Sequence, residues 1–167
     1  KGLNAGPGAA TGRVVFTADD AVDWKKKGEQ VILVRDETSP EDIHGMHASE
    51  GFLTARGGMT SHAALVARQM GKVCVAGCSS LRIDYRARAF AVGSRLVREG
   101  DWISLDGFTG EVIEGKMKTL PSEVVQVLVD KSMHPTMAPV FRMFDRLLKM
   151  ADKVRRMRVR ANADQPD

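Results

Sequence analysis

Apolar positions in this chain follow two regimes. Through the first 115 residues they form short clusters separated by glycines and polar turns; after that they recur at helical spacing. Gly12 to Phe16 reads as a strand. So does Gln30 to Arg35, where Val31, Ile32, Leu33 and Val34 run without a polar break, the pattern of a strand buried on both faces. Gly51 to Thr54 and Val73 to Ala76 read the same way. Helical patterns lie between them. One runs from Asp19 to Lys27 and is closed by Gly28. Another starts at Ser39-Pro40-Glu41-Asp42-Ile43, with Ser39 as N-cap and Asp42 three residues on. Asp101 to Asp106 and Gly110 to Ile113 frame Gly107-Phe108-Thr109 as a hairpin. The alternation predicts an α/β domain in which strands outnumber helices.

The C-terminal third is different. Pro121-Ser122-Glu123 opens a helix, with Pro in its first turn and Val124, Val125, Leu128 and Val129 on its apolar side. His134-Pro135 and Pro139 break the chain, and a second helix runs from Pro139 to Arg155. Val140, Phe144, Leu147, Ala151 and Val154 share one face of it, and Arg142, Arg146, Lys149, Lys153 and Arg156 lie mostly opposite. Charge follows the same division. Residues 1–115 carry 14 Lys and Arg against 15 Asp and Glu, whereas 116–160 carry 11 against 4. The pI of 9.3 therefore belongs to the helical third. A nucleic-acid module working through the 139–160 helix is one reading of that excess. A helix packed on a neighbour, with a solvated basic face, is the other. Few aromatics interleave with the charges and the rest of the chain is balanced, so no nucleic-acid partner is expected. No run of about 18 apolar residues exists, so no membrane span is expected. Cys74 and Cys78 read as buried free thiols: four residues of strand span about 13 Å, and a disulfide needs Cα atoms within about 7 Å.

The stretch with chemical content is Thr54 to Gly71. A strand ends near Thr54, Gly57-Gly58 permits unusual dihedrals and a close backbone approach, and Thr60 or Ser61 can cap a helix. Ala63 to Met70 is strongly helix-forming, and Gly71 stands where a helix ends. His62 thus falls in the first helical turn. The partial positive charge there disfavours a second one on the imidazole, which leaves a neutral nucleophile, and it favours an anion nearby. A phosphoryl group on His62 would meet donors from the helix start, Thr60 and Ser61. The stretch is neither a P-loop, which closes on Gly-Lys-Ser/Thr, nor a nucleophile elbow. A purely structural histidine remains open on the residues alone. His44 and His47 have a metal-like spacing without a third ligand, so no metal site is expected. Arg56 is a phosphate contact or a loop charge. Arg68 lies one and a half turns past His62, so helical spacing does not aim it at the site.

Gly57 to Arg68 resembles the phosphohistidine signature of the phosphoenolpyruvate-utilising enzymes. Within that family, Gly-Gly-Met-Thr-Ser-His-Ala-Ala with Met59 before Thr60 is similar to the dikinase branch; the phosphoenolpyruvate synthase and enzyme I branches usually carry Arg at that position. Glu37 to Ile43, Gly45-Met46, Gly71 to Cys78 and the start Gly2-Leu3 through Gly12 are similar too, although Gly6 stands where the family usually has Ser. The resemblance covers about residues 2–115.

It implies an α/β fold, a swivelling phosphohistidine domain of β/β/α layering over 1–115. A helical linker over 116–157 would follow, and then 158–167 as the start of a truncated PEP/pyruvate-binding barrel. The implied activity is a phosphotransferase that converts ATP, pyruvate and phosphate to AMP, phosphoenolpyruvate (PEP) and pyrophosphate. His62 would carry the phosphoryl group between remote ATP and pyruvate sites, with Gly57, Gly58, Thr60 and Ser61 stabilising the phosphate or capping the helix. Thr60 matches a regulatory phosphorylation site of plant members. The implied partners are an N-terminal ATP-grasp domain and the C-terminal barrel of the same enzyme, which would also hold Mg²⁺. This chain alone would be inactive, with no cofactor of its own. A homo-oligomeric full-length enzyme in the cytoplasm or an organelle completes the expectation. Phosphoenolpyruvate synthase is the alternative within the family.

Overall fold

The computed structural model describes residues 1–157; the expected barrel segment, 158–167, lies outside the described residues. The chain divides into two compact units between Thr119 and Leu120.

The first unit is built on a seven-stranded sheet. In chain order its strands are β1 (Leu3–Gly6), β2 (Ala9–Val15), β3 (Val31–Arg35), β4 (Gly51–Thr54) and β5 (Val73–Ala76), and β9 (Trp102–Asp106) and β10 (Glu111–Glu114) complete it. The spatial order is β1-β5-β4-β3-β2-β9-β10. β2, β3, β4 and β5 are parallel neighbours, and β1, β9 and β10 pair antiparallel at the flanks. Three crossovers join the parallel strands: α1 (Ala18–Lys26), a 3₁₀ turn at Pro40–Asp42 leading into α2 (Ile43–Ala48), and α3 (His62–Met70). Right-handed crossovers stepping in one direction put all three helices on one face.

Burial confirms that arrangement. Val31 and Leu33 of β3 pack with Ala21, Met46, Ala63, Ala64 and Ala67 of the helices. Ile32 and Val34 point the other way, into a cluster with Phe16, Leu53, Val75, Ile103 and Leu105. That second face is covered by a three-stranded antiparallel sheet of β6 (Arg82–Asp84), β7 (Ala89–Val92) and β8 (Arg95–Arg98). Ile83, Phe90 and Val97 pair across it and face inward. Phe16 joins the layers by edge-on contacts with Tyr85 and Phe90, both at 6.4 Å between ring centroids. The unit is therefore α/β with β/β/α layering. The unbroken apolar run of β3 has its reason here, since both faces of the strand are covered.

The small sheet and β1 were not legible in the pattern. β6 to β8 have three or four residues each, and their outward positions carry Arg82, Asp84 and Arg98. The Ser39 cap was legible: Ser39 and Asp42 form a reciprocal capping box. Thr17, whose Oγ1 accepts from the Asp20 amide at 3.1 Å, is a cap the pattern did not single out.

The second unit holds α4 (Glu123–Leu128) and α5 (Pro139–Val154). Pro121 lies just outside α4, whose N-cap is Ser122, and not in its first turn. Glu123 accepts from the amides of Val140 and Phe141 at 2.7 and 3.2 Å, which satisfies the open start of α5. Ala138 and Phe141 are the buried apolar residues here. The face expected to pack, Val140, Phe144, Leu147 and Val154, is 38–76% exposed. α4 has only six residues, too few to cover a sixteen-residue stripe. Among the described residues, no helix is long and apolar enough to cross a membrane.

α1 and α2 cross closely at Gly45, where an added Cβ would stand 2.3 Å from Ala18 Cα. Alanine gains about 1 kcal/mol over glycine in a helix interior. The overlap is with backbone, however, and overpacking of that kind costs about 1–3 kcal/mol. Gly45→Ala is therefore expected to be net destabilising, read as a lowered urea midpoint; an unchanged or raised midpoint would show that the crossing relaxes freely.

Candidate functional site

β3, β4 and β5 end at the same edge of the sheet, so the loops that follow them gather there. In open parallel sheets this carboxyl edge is where ligands bind. Register makes the meeting specific: Arg35 at the end of β3 lies opposite Thr54 at the end of β4.

The loop after β4 carries the glycines. Thr54 fixes its departure, its Oγ1 donating to the Arg56 carbonyl at 2.7 Å and its carbonyl accepting from the Cys78 amide at 2.9 Å. Gly57 has φ +102°, and a Cβ there would lie 2.9 Å from the Ser61 Cβ. A Cβ on Gly77, in the turn after β5, would lie 2.4 Å from the Gly57 carbonyl oxygen. The loop thus lies flat on the Gly77 turn because both residues lack side chains. Gly58 is different, as a Cβ there would meet nothing within 4 Å. The Ser61 amide donates to the Gly58 carbonyl at 3.0 Å, which closes the turn.

Ser61 is the N-cap of α3, and its Oγ accepts from the Ala64 amide at 3.4 Å. His62 is the first residue of the helix, and Gly71 ends it in the left-handed conformation. Thr60 is exposed, and its neighbour Ser61 supplies the cap.

His62 is half-buried, and its Nδ1 lies 3.1 Å from Oγ1 of Thr38. Thr38, in the loop after β3, is only 6% exposed, so the contact is sheltered. Its loop is held on several sides. Tyr85 accepts the Asp36 amide through its hydroxyl at 2.8 Å and stacks under the Arg35 guanidinium at 5.4 Å. The Ser39 amide donates to Asp42 at 3.0 Å, and Arg35 Nη2 pairs with the same carboxylate at 3.4 Å. With Nδ1 engaged, Nε2 is the nitrogen left for chemistry. In the tautomer that carries its proton on Nδ1, donating to Thr38, Nε2 presents its lone pair. Glu41 follows Ser39 and Pro40 in the same loop, its carboxyl held below the ordinary range chiefly by a hydrogen bond with Ser39 and then by its own backbone amide.

Spacing could not have found Thr38 or Tyr85. They are 24 residues before and 23 after His62, and only the parallel pairing and the third layer bring them near. For Thr38 the available signal was its place in the Glu37 to Ile43 stretch, just past a doubly buried strand. Arg68, which helical spacing does not aim at the site, reaches back to the glycine loop: its Nη2 donates to the Met59 carbonyl at 2.6 Å.

The remaining candidates lie elsewhere. Arg56 is mostly exposed, and its guanidinium is 3.9 Å from Asp36. His44 pairs with Asp19 at 3.0 Å, His134 with Thr136 at 2.8 Å, and the His47 carbonyl accepts from Lys72. Among the described residues, no three His, Cys, Asp or Glu side chains converge as a metal site would need.

Cys74 and Cys78 are free and buried. Burial pushes the Cys74 thiol from an ordinary 9.0 up to about 12. Because the folded value is raised, the neutral thiol favours the fold below pH 9 and that contribution is lost as pH rises toward 12. At pH 9 roughly one thiol in a thousand is thiolate, and the thiolate is the reactive form. Cys74 should therefore resist iodoacetamide at pH 9 in the native protein and react at once in guanidinium; rapid native modification would contradict its placement.

The family described as PEP-utilising enzyme, mobile domain, matches residues 27–110. The chain is 51% identical over 167 residues to pyruvate, phosphate dikinase 1, chloroplastic, of Arabidopsis thaliana, covering 100% of this chain and 16% of that protein. It is 51% identical over 165 residues to pyruvate, phosphate dikinase of Clostridium symbiosum, covering 99% and 17%. An NMR solution structure of Enzyme I aligns over 62% of this chain and 36% of that one at 26% identity, with a TM-score of 0.39. The chain thus spans about a sixth of the length of the curated dikinases it matches. It belongs to the PEP-utilising enzyme family, as a mobile domain of that family.

Proposed function

We propose that this chain is the phosphoryl-carrier domain of a pyruvate, phosphate dikinase and that His62 is the carrier. The observation that supports it most is the engagement of His62 Nδ1 by a buried hydroxyl at the start of a helix. That arrangement suits a nucleophile at Nε2. As Nε2 attacks phosphorus, the N–P bond forms, the bond to the leaving oxygen breaks, and positive charge grows on the ring. The proton on Nδ1 stays in place, and its hydrogen bond to Thr38 strengthens as that charge develops. The transferred oxygens meet the start of the helix, where anions are favoured. Ser61 orients the helix, and the close fit of Gly57 against Gly77 sets the path of the loop before it.

The full reaction, from ATP, pyruvate and phosphate to AMP, PEP and pyrophosphate, then needs sites outside this chain. An ATP-grasp domain and a PEP/pyruvate-binding barrel would supply them, with Mg²⁺ held there. Among the described residues, no three His, Cys, Asp or Glu side chains are placed to hold it. Movement of the carrier between remote sites accounts for a domain whose histidine is exposed enough to be reached.

Thr60 adds a regulatory reading. Its exposed side chain lies two residues before His62. A phosphate there would bring nearly two negative charges to the approach of an anionic donor.

The full-length protein incubated with PEP, then mapped by mass spectrometry under alkaline conditions, should carry phosphate on His62, and His62→Asn should carry none. Phosphate on another residue would overturn the assignment. Thr60→Glu is expected to lower labelling at least tenfold, and labelling at the normal rate would remove the regulatory reading. A requirement for inorganic phosphate in the ATP-dependent direction separates the dikinase from phosphoenolpyruvate synthase.

A further inference from the structure

Arg68 is the part of this site that its position in the sequence conceals. It lies six residues past His62 on α3, about 9 Å along the axis at 1.5 Å per residue. Helical side chains lean toward the N-terminus, and Arg68 follows that lean over its full length. Nη2 donates to the Met59 carbonyl at 2.6 Å and Nη1 to the Ala5 carbonyl at 3.2 Å. The two acceptors belong to different parts of the unit. Met59 is in the glycine loop, whereas Ala5 is buried in β1 at the sheet edge. One guanidinium therefore ties the loop before His62 both to its own helix and to the sheet.

The loop needs such a tie. Gly57 and Gly58 give it wide dihedral freedom. Packing on the Gly77 turn restrains Gly57, but an added side chain at Gly58 would meet open space. Met59 is 44% exposed and Thr60 is exposed too, so packing restrains this pair weakly. Among the described residues, Arg68 is the side chain that hydrogen-bonds the backbone of residues 57–60. Fixing the Met59 carbonyl fixes the Met59–Thr60 peptide plane, and with it the direction in which the Thr60 amide points; the Ser61 amide is already held by the Gly58 carbonyl. Arginine suits the task because its planar fork serves two carbonyls at once, which a lysine ammonium on one flexible stem does not reproduce.

We propose that Arg68 is a positioning residue for phosphoryl transfer at His62, holding the glycine loop so that the Thr60 amide faces the transferred group. This rests on the phosphohistidine reading above. Misplacement of catalytic groups by about 1 Å costs on the order of 100-fold in rate.

The test uses the full-length protein with Arg68, Arg68→Met and Arg68→Lys, phosphorylated by PEP in single turnovers, with amide hydrogen exchange over residues 57–61 and a thermal midpoint for each. Arg68→Met should label His62 about 10- to 100-fold more slowly at unchanged half-saturation for PEP, while its loop amides exchange faster. Arg68→Lys should recover part of both. Wild-type labelling by Arg68→Met overturns the proposal, and so does a loss that only tracks the folded fraction with loop exchange unchanged. If Arg68→Met does not fold, a folded Arg68→Lys labelling at the full rate overturns it. Absence of phosphate from His62 in the unmutated protein brings down the phosphohistidine reading and this proposal together, whereas equal labelling of protein and variant brings down the proposal alone.

Discussion

The parallel pairing of β3 with β4 is the constraint on which the site depends. Because the strands run the same way, with Arg35 opposite Thr54, their following loops leave the sheet at one edge. Thr38 in the first loop then comes within 3.1 Å of His62 at the end of the second. An antiparallel arrangement would send those loops to opposite edges. Parallel pairing also demands crossovers, and α3 is the crossover that brings its positive end to that edge. The helix that completes the fold is thus the one that creates the anion-favouring site.

The three layers divide the work. Small residues of α3, Ala63, Ala64 and Ala67, let the helix sit close on the sheet, so the position of His62 follows the sheet and not a mobile tip. The small sheet covers the opposite face and sends Tyr85 over the edge to the Asp36 amide. The Thr38 loop is therefore braced from the layer that carries no functional residue of its own. Bracing from both layers holds the Thr38–His62 contact in one geometry.

The sequence pattern was informative where burial is two-sided. β4 and β5 match the expected strands residue for residue, and β3 differs by one, because every position in them is in contact with one layer or the other. Caps were legible because they are local chemistry: Ser61, Gly71 and the Ser39–Asp42 pair act within four residues of themselves. β6 to β8 escaped because short strands with charged outer positions carry no clear period. Thr38, Tyr85 and Arg68 escaped for a different reason. Their roles rest on contacts between segments far apart in sequence or on a long side chain folding back, and no residue spacing encodes either. On α5 the periodicity was right but the buried side was not. Phe141, next to the stripe, is the residue that packs, because α4 covers only the first turns.

The central claim is that Thr38 reserves Nδ1 of His62 and leaves Nε2 to take the phosphoryl group. The most direct measurement is a long-range ¹H–¹⁵N NMR spectrum of the protein labelled with ¹⁵N-histidine and phosphorylated by PEP. The account predicts the phosphorus coupling on Nε2, with Nδ1 still hydrogen-bonded. Coupling on Nδ1, the nitrogen 3.1 Å from Thr38, would contradict it.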